Sequence, residues 1–138
     1  MIDKEQVMDM LLNACPSYNK RYEKYVKENY TTDEDKLIYL DISDFLEHLI
    51  ECYQNKQTNE FDKVFEAIEE LHINGNSFVK ELATIGGLET LQNKLEHKNV
   101  EYGEFEKYLR SESKIWWNNL IDFWNGKTEY VGGPIKEQ

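Results

Sequence analysis

Apolar residues recur along this chain with the 3.6-residue period of α-helices, interrupted at a few Pro, Gly and polar positions. Residues 3–14 place Val7, Met10, Leu11 and Ala14 on one face. Pro16 stops that helix, because its ring clashes with the preceding turn and it has no N–H to donate. Residues 17–29 resume the pattern with Tyr18, Tyr22, Tyr25 and Val26 along one side. Thr31, Thr32, Asp33, Glu34 and Asp35 read as a helix start, in which Thr32 and Asp35 fit a capping box and the acids suit the positive end of the helix dipole. The helix they open, about 33–55, is the longest, with Ile38, Ile42, Phe45, Leu46, Leu49 and Tyr53 in one apolar stripe.

A polar break at 55–59 leads to a fourth helix, about 59–73, whose core face is Phe61, Val64, Phe65, Ile68 and Leu71. Gly75 is placed to end it as a left-handed C-cap. A fifth segment starts at Asn76 or Ser77 and presents Phe78, Leu82, Ile85, Leu88, Leu91 and Leu95. Gly86 and Gly87 interrupt it without shifting the apolar phase, which predicts a kink or two abutting helices. A short helix at 101–109 centres on Phe105, Tyr108 and Leu109. Ser111 is the expected cap of the last helix, which carries Ile115, Trp116, Trp117, Leu120, Ile121 and Trp124 and ends at Gly126. With no set of alternating strands, the fold class is an all-α bundle of six or seven helices. One domain is expected over 1–126, with 127–138 as a C-terminal tail.

Composition fits one packed domain: 138 residues, 40% of them apolar, with three Trp, nine Tyr and six Phe. Charge narrows the choice of partners. A net charge of −11 argues against nucleic acid and anionic membrane, since phosphate neutralisation needs clustered Lys and Arg. Residues 28–72 hold thirteen acids and three bases, nearly the whole excess. The first residues lack the basic start, apolar run and small-residue cleavage site of a secretory signal, and no stretch is long and apolar enough to span a bilayer. Together with two cysteines read as free buried thiols, Cys15 and Cys52, this points to the cytoplasm.

Helical phase puts Asp44, Glu47 and Glu51 opposite the apolar stripe of the third helix, and Asp62, Glu66 and Glu70 on the outer face of the fourth. A short linker makes these helices expected antiparallel neighbours, so the six carboxylates would share one acidic surface with Leu40 as its large apolar residue. Such a surface is either a solvated face or a landing site for a basic protein. On the second reading, Leu40, Asp44, Glu47, Glu51, Asp62, Glu66 and Glu70 are the contacts.

Signals for catalysis are sparse. Glu69 and His72 form one Glu-x-x-His spacing, where di-iron bundles use two such pairs with further carboxylates, so Glu69 is read as bonding a neighbouring helix. His48 and Cys52 lie one turn apart, but Glu47 and Glu51 disfavour a thiolate there. The chain lacks GxSxG, P-loop, GxGxxG, HExxH and CxxC motifs, so neither an enzyme nor a metal or other cofactor is expected. Tyr18, Tyr22, Tyr25 and Tyr30, interleaved with Lys20, Arg21, Lys24 and Lys27, are read as rings on the core edge with their bases in water.

The run from Phe65 through Asn93, followed by Tyr108 to Trp124, resembles a family of small bacterial helical proteins described only as a domain of unknown function. Its members in turn resemble immunity proteins encoded beside polymorphic or contact-dependent toxins. The residues carrying the likeness are Phe65, Ile68 and Glu69, then Ile85, Gly86, Leu88 and Glu89, then Leu109, Ser111, Trp117, Leu120 and Trp124, within residues 37–125. The resemblance implies an immunity protein that neutralises a cognate toxin, here expected to be a basic nuclease, without chemistry of its own and acting as a monomer. The alternative is a regulatory or structural adaptor that forms a homodimer through the Trp-rich last helix.

Overall fold

The computed structural model describes residues 1–31 and 36–126, and within them the chain is all-α. Among the described residues there are seven helices. They are α1 (Lys4–Ala14), α2 (Asn19–Asn29), α3 (Ile38–Gln54), α4 (Phe61–Asn74), α5 (77–97), α6 (Gly103–Glu106) and α7 (Ser111–Trp124). Asp3 and Gln6 form a reciprocal capping box at the start of α1. Pro16 ends that helix as expected, and a 3₁₀ turn at Pro16–Tyr18 feeds directly into α2. The expected tail, 127–138, lies outside the described residues.

Helix α3 begins at Ile38, later than its acidic prelude suggests. Leu37 is extended, and its backbone N–H donates to the Tyr30 hydroxyl at 2.8 Å. That hydroxyl in turn donates to Asp41 at 2.6 Å, so an aromatic clamp from the end of α2 sets the start of α3. The Thr32–Asp35 capping pattern falls outside the described residues.

Helix α5 is continuous through the double glycine. It is α-helical over Ser77–Glu81, π-helical over Leu82–Glu89 and α-helical again over Thr90–His97. The expected kink is thus a widened turn, and the apolar phase survives because the helix does. Thr90 donates its hydroxyl to the Ile85 carbonyl at 3.2 Å, occupying an acceptor in the widened stretch. Gly86 lets the Tyr39 ring approach, since a Cβ there would stand 3.1 Å from Tyr39 Cδ1.

Gly75 is also needed for space, not for handedness. Its φ of −70° and ψ of 153° are extended, and it forms a one-residue parallel bridge with Ile2. Ile2 donates to the Asn74 carbonyl at 2.8 Å and accepts from the Asn76 N–H at 2.9 Å, which ties the N-terminus to the α4–α5 junction. A Cβ at Gly75 would fall against the Leu71 carbonyl oxygen and 2.6 Å from Val79 Cγ1. Gly126, with φ of 76°, is the left-handed stop expected after α7.

Helix α4 is the central element, packing on α1, α5 and α7, while α3 packs on the π stretch and the last turns of α5. Helices α3 and α4 are not a closely packed pair, contrary to the expectation from their short linker. The π stretch stands between α3, α4 and α7, and buries Leu82, Ala83, Gly86, Gly87 and Leu88. Trp117, Tyr18, Phe45, Phe61, Phe65 and Phe105 are the largest fully buried side chains. Gly75→Ala is expected to lower unfolding stability by about 1–3 kcal/mol, as overpacking does. A urea titration followed by circular dichroism measures this.

Candidate functional site

The structure divides the acidic residues that the helical phase had grouped. Arg21 of α2 binds Asp44 at 3.1 Å and Glu51 at 2.8 Å, and Tyr18 donates its hydroxyl to Asp44 at 2.7 Å. Burial alone would make Arg21 easier to deprotonate, but its hydrogen bonds to Glu51 and Asp44 prevail and hold its pKa above the ordinary value. Glu47 faces the far end of α5, 3.7 Å from Lys94 and 3.5 Å from Lys98. Glu66 lies 3.5 Å from Arg110, just ahead of α7, and Glu70 accepts from Asn74 at 2.6 Å on its own helix. The expected single surface is therefore not assembled, because α3 and α4 are separated by the π stretch on which both pack, and internal bases meet Asp44, Glu47, Glu51 and Glu66. Leu40, Glu51, Asp62, Glu66 and Glu70 remain exposed, and Asp62, Glu66 and Glu70 form an outward stripe along α4.

Sequence reading missed a polar cluster joining the 3₁₀ turn, α3 and the start of α4. The Ser17 hydroxyl donates to Glu60 and lies 3.0 Å from His48 Nε2, and the Ser17 N–H donates to the same carboxylate at 3.2 Å. Cys15 Sγ donates to Glu60 at 3.3 Å, and Cys52 Sγ is 3.5 Å from His48 Nε2. Burial opposes charge on Glu60, yet the bonds from Ser17 and Cys15 hold its carboxyl below the ordinary pKa. Burial first, and the Glu60 charge with it, pushes the Cys15 thiol up to about 12 and raises Cys52 as well. Both thiols are free and buried, so they remain protonated and poorly nucleophilic. Ser17 commits its proton to a carboxylate and has none to pass to His48. Among the described residues, no group of three His, Cys, Asp or Glu is disposed to hold a metal ion.

The Glu69–His72 spacing serves helix packing, as expected for a flank carboxylate. Glu69 accepts from the backbone N–H of Glu112 at 3.0 Å and of Ser113 at 2.9 Å, and from the Ser113 hydroxyl at 2.9 Å. It thereby caps α7 from a neighbouring helix, the role expected of Ser111. His72 is buried; its Nδ1 lies 3.1 Å from the Ile68 carbonyl and its Nε2 3.0 Å from the Thr84 hydroxyl. Burial lowers the His72 pKa to about 4 against smaller opposing effects of Ile68 and Glu69.

Two aromatic groups remain. Tyr18 is fully buried, and Tyr22, Tyr25 and Tyr30 sit half-buried at the core edge as expected, although Arg21 pairs with acids instead of facing water. In α7, Trp116 and Trp117 are buried, and Tyr102 packs edge-on against Trp117 at 5.5 Å. Trp124 does not share their interior, being 63% exposed, and Ile115 is 57% exposed. These two lie nine positions apart, about half a turn around the helix, and so form no common face. A cavity of about 280 Å³ opens between α1, Tyr22 and the start of α3, with Asp41 in its lining.

His72 and His48 both have folded-state pKa values below the ordinary one, so the unfolded chain binds more protons as pH falls below about 6.5. Stability present at neutral pH is therefore lost between about pH 6.5 and 4, with His72 accounting for about 3 kcal/mol. Glu60 and Glu69, held below the ordinary carboxyl value, add a further loss under about pH 4.5. Urea midpoints measured from pH 7 to 4 should fall, and His72→Gln should flatten the upper part of that decline. Alkylation by iodoacetamide at pH 8 should be slow at both cysteines in the folded chain and fast in urea.

No helix among the described residues is long and apolar enough to cross a membrane. No curated protein and no solved structure matches the chain. One family model does, over residues 8–125, spanning α1 from Met8 onward through the end of α7. By that match, the chain belongs to the family described as a domain of unknown function, DUF7674.

Proposed function

We propose that this protein is an immunity-type inhibitor, a non-catalytic cytoplasmic binder that captures a cognate basic toxin domain, a nuclease being the expected kind. The observation that carries this reading is the outward stripe Asp62, Glu66 and Glu70 on α4, set in a chain of net charge −11. Internal ion pairs leave the net charge of the chain unchanged, so the long-range anionic field persists. A field of that sign speeds encounter with a cationic partner and repels nucleic acid, the substrate whose place it would take. Asp44, Glu47 and Glu51 then act mainly as a scaffold, with Glu51 at the rim, while exposed Leu40 offers an apolar contact.

The test uses the polypeptide encoded beside this chain's gene, co-expressed and assayed for complex formation and for protection of growth. Wild-type chain should bind it and restore growth. The variant Asp62→Lys/Glu66→Lys/Glu70→Lys should associate about tenfold more slowly at low salt, with a flatter salt dependence and an unchanged helical spectrum. Equal association rates for the two would remove the α4 stripe from the interface, and absence of any complex would overturn the immunity reading.

A further inference from the structure

The dipeptide Asn-Gly occurs at Asn74–Gly75 and at Asn125–Gly126, and the fold treats the two differently. Asparagine followed by glycine is prone to react with itself. With no Cβ in the way, the glycine backbone nitrogen can reach the side-chain carboxamide before it. The reaction needs rotation about the asparagine ψ, release of the glycine N–H and room for the glycine to turn.

At Asn74 all three are withheld. Its carbonyl accepts from the Ile2 N–H at 2.8 Å, and its carboxamide donates to Glu70 at 2.6 Å. The Gly75 N–H is bonded to the Leu71 carbonyl at 3.2 Å. Gly75 is buried, and an added Cβ would stand 2.6 Å from Val79 Cγ1. Swinging this peptide would break the bridge to Ile2 and press the chain into Val79, so reaction there requires the α4–α5 junction to open.

Asn125 meets the opposite conditions. It is the C-cap of α7, at φ −91° and ψ 5°, beyond the helical ladder that would hold its ψ. It is exposed and lines a cavity of about 380 Å³ together with Glu96 and Trp124. Gly126 is exposed too, with nothing among the described residues within 4 Å of where a Cβ would stand. Its N–H donates to the Phe123 carbonyl at 3.0 Å, a bond at a helix end, where backbone bonds open most readily.

We infer that Asn125–Gly126 is a modification site that converts spontaneously through a succinimide, while the Ile2 bridge protects Asn74–Gly75 from the same reaction. The Gly126 nitrogen gives its proton to base and bonds to Asn125 Cγ. The Cγ–Nδ2 bond breaks, and the amide nitrogen takes up a proton and leaves as ammonia. Water then opens the ring at either carbonyl, leaving aspartate or, with the main chain routed through Cγ, isoaspartate. Nothing is oxidised or reduced, and water is the co-reactant. Either product puts a carboxylate at the negative end of the α7 dipole, in a cavity that Glu96 already lines, and so weakens the last turn of α7. The site stands apart from the α4 stripe, and its test does not involve the toxin partner.

The experiment incubates the full chain in mildly alkaline buffer, once folded and once in guanidinium chloride. Each Asn-Gly is followed by peptide mass spectrometry, with isoaspartyl methyltransferase labelling to detect isoaspartate. In the folded chain Asn125 should convert at least about tenfold faster than Asn74, and in guanidinium chloride the two rates should be similar. Asn125→Gln, at an exposed position, should abolish the isoaspartate signal of the folded chain. Asn125→Asp, which builds one product directly, should lower the urea midpoint, and an unchanged midpoint overturns the effect on α7. Equal conversion at Asn74 and Asn125 in the folded chain, an isoaspartate signal that survives Asn125→Gln, or aspartate at 125 without isoaspartate overturns the inference.

Discussion

A single neutral imidazole sits where α4, the π stretch of α5 and α7 meet, and its hydrogen bonds dictate how these three elements register. The Ile68 carbonyl next to Nδ1 can only accept, so Nδ1 carries the proton and Nε2 accepts from the Thr84 hydroxyl. Ser113 donates to Glu69 and lies 3.1 Å from the same Nδ1, which it meets with an oxygen lone pair. Every polar atom of the ring is thus served in an apolar setting, and each partner comes from a different turn or helix. The π stretch supplies Thr84, and α7 supplies Ser113 together with the two N–H groups that Glu69 caps. Sliding α7 or narrowing the π turn would leave a buried nitrogen or carboxylate unserved, so a polar contact fixes what apolar packing alone would leave adjustable.

The same logic governs the charge. Thirteen acids and three bases in residues 28–72 would repel one another if all faced water together. The fold separates them: Asp44 and Glu51 turn to α2, Glu47 turns to α5, Glu60 to the 3₁₀ turn and Glu69 to α7. Bases in other parts of the chain, Arg21, Lys94, Lys98 and Arg110, are the counter-charges. An acidic middle is consequently part of how the ends are attached. The remainder is a net field and one outward stripe, instead of a contiguous carboxylate face.

Much of the fold was legible in the sequence, because apolar period and helix stops are local. Pro16, Asn76 and Gly126 act where local chemistry places them, and Asn76 accepts from the Val79 N–H at 2.9 Å as an N-cap should. The misses share a cause in tertiary contact. Gly75 is required by the proximity of Leu71 and Val79, the cap of α7 comes from Glu69 on another helix, and the start of α3 is set by Tyr30. Placing Asp44, Glu47 and Glu51 opposite the apolar stripe was sound as helical geometry. It could not show that Arg21, Lys94 and Lys98 would reach across to meet them, since an outward face is defined only once the neighbouring helices are in place. The Ser17, His48 and Glu60 cluster was hidden for the same reason, with no spacing in the chain to announce it.

Helix α2 is held in place by side-chain chemistry more than by apolar burial. None of its residues is fully buried, and it is tied down by the Arg21 fork, by the half-buried rings of Tyr22 and Tyr25, and at its end by Tyr30 on Asp41. Removing few apolar contacts from water makes such a helix the first to open, well below the free energy of global unfolding. The cavity containing Asp41 lies along this seam between α2 and the α1–α3 pair. A partly open α2 would uncover the Asp41 carboxylate without disturbing His72 and the α4–α7 junction, whose hydrogen bonds involve none of its residues. The side of the molecule around His72 is therefore built on buried apolar residues and a satisfied hydrogen-bond network, and the α2 side is held by ion pairs and tyrosine hydroxyls.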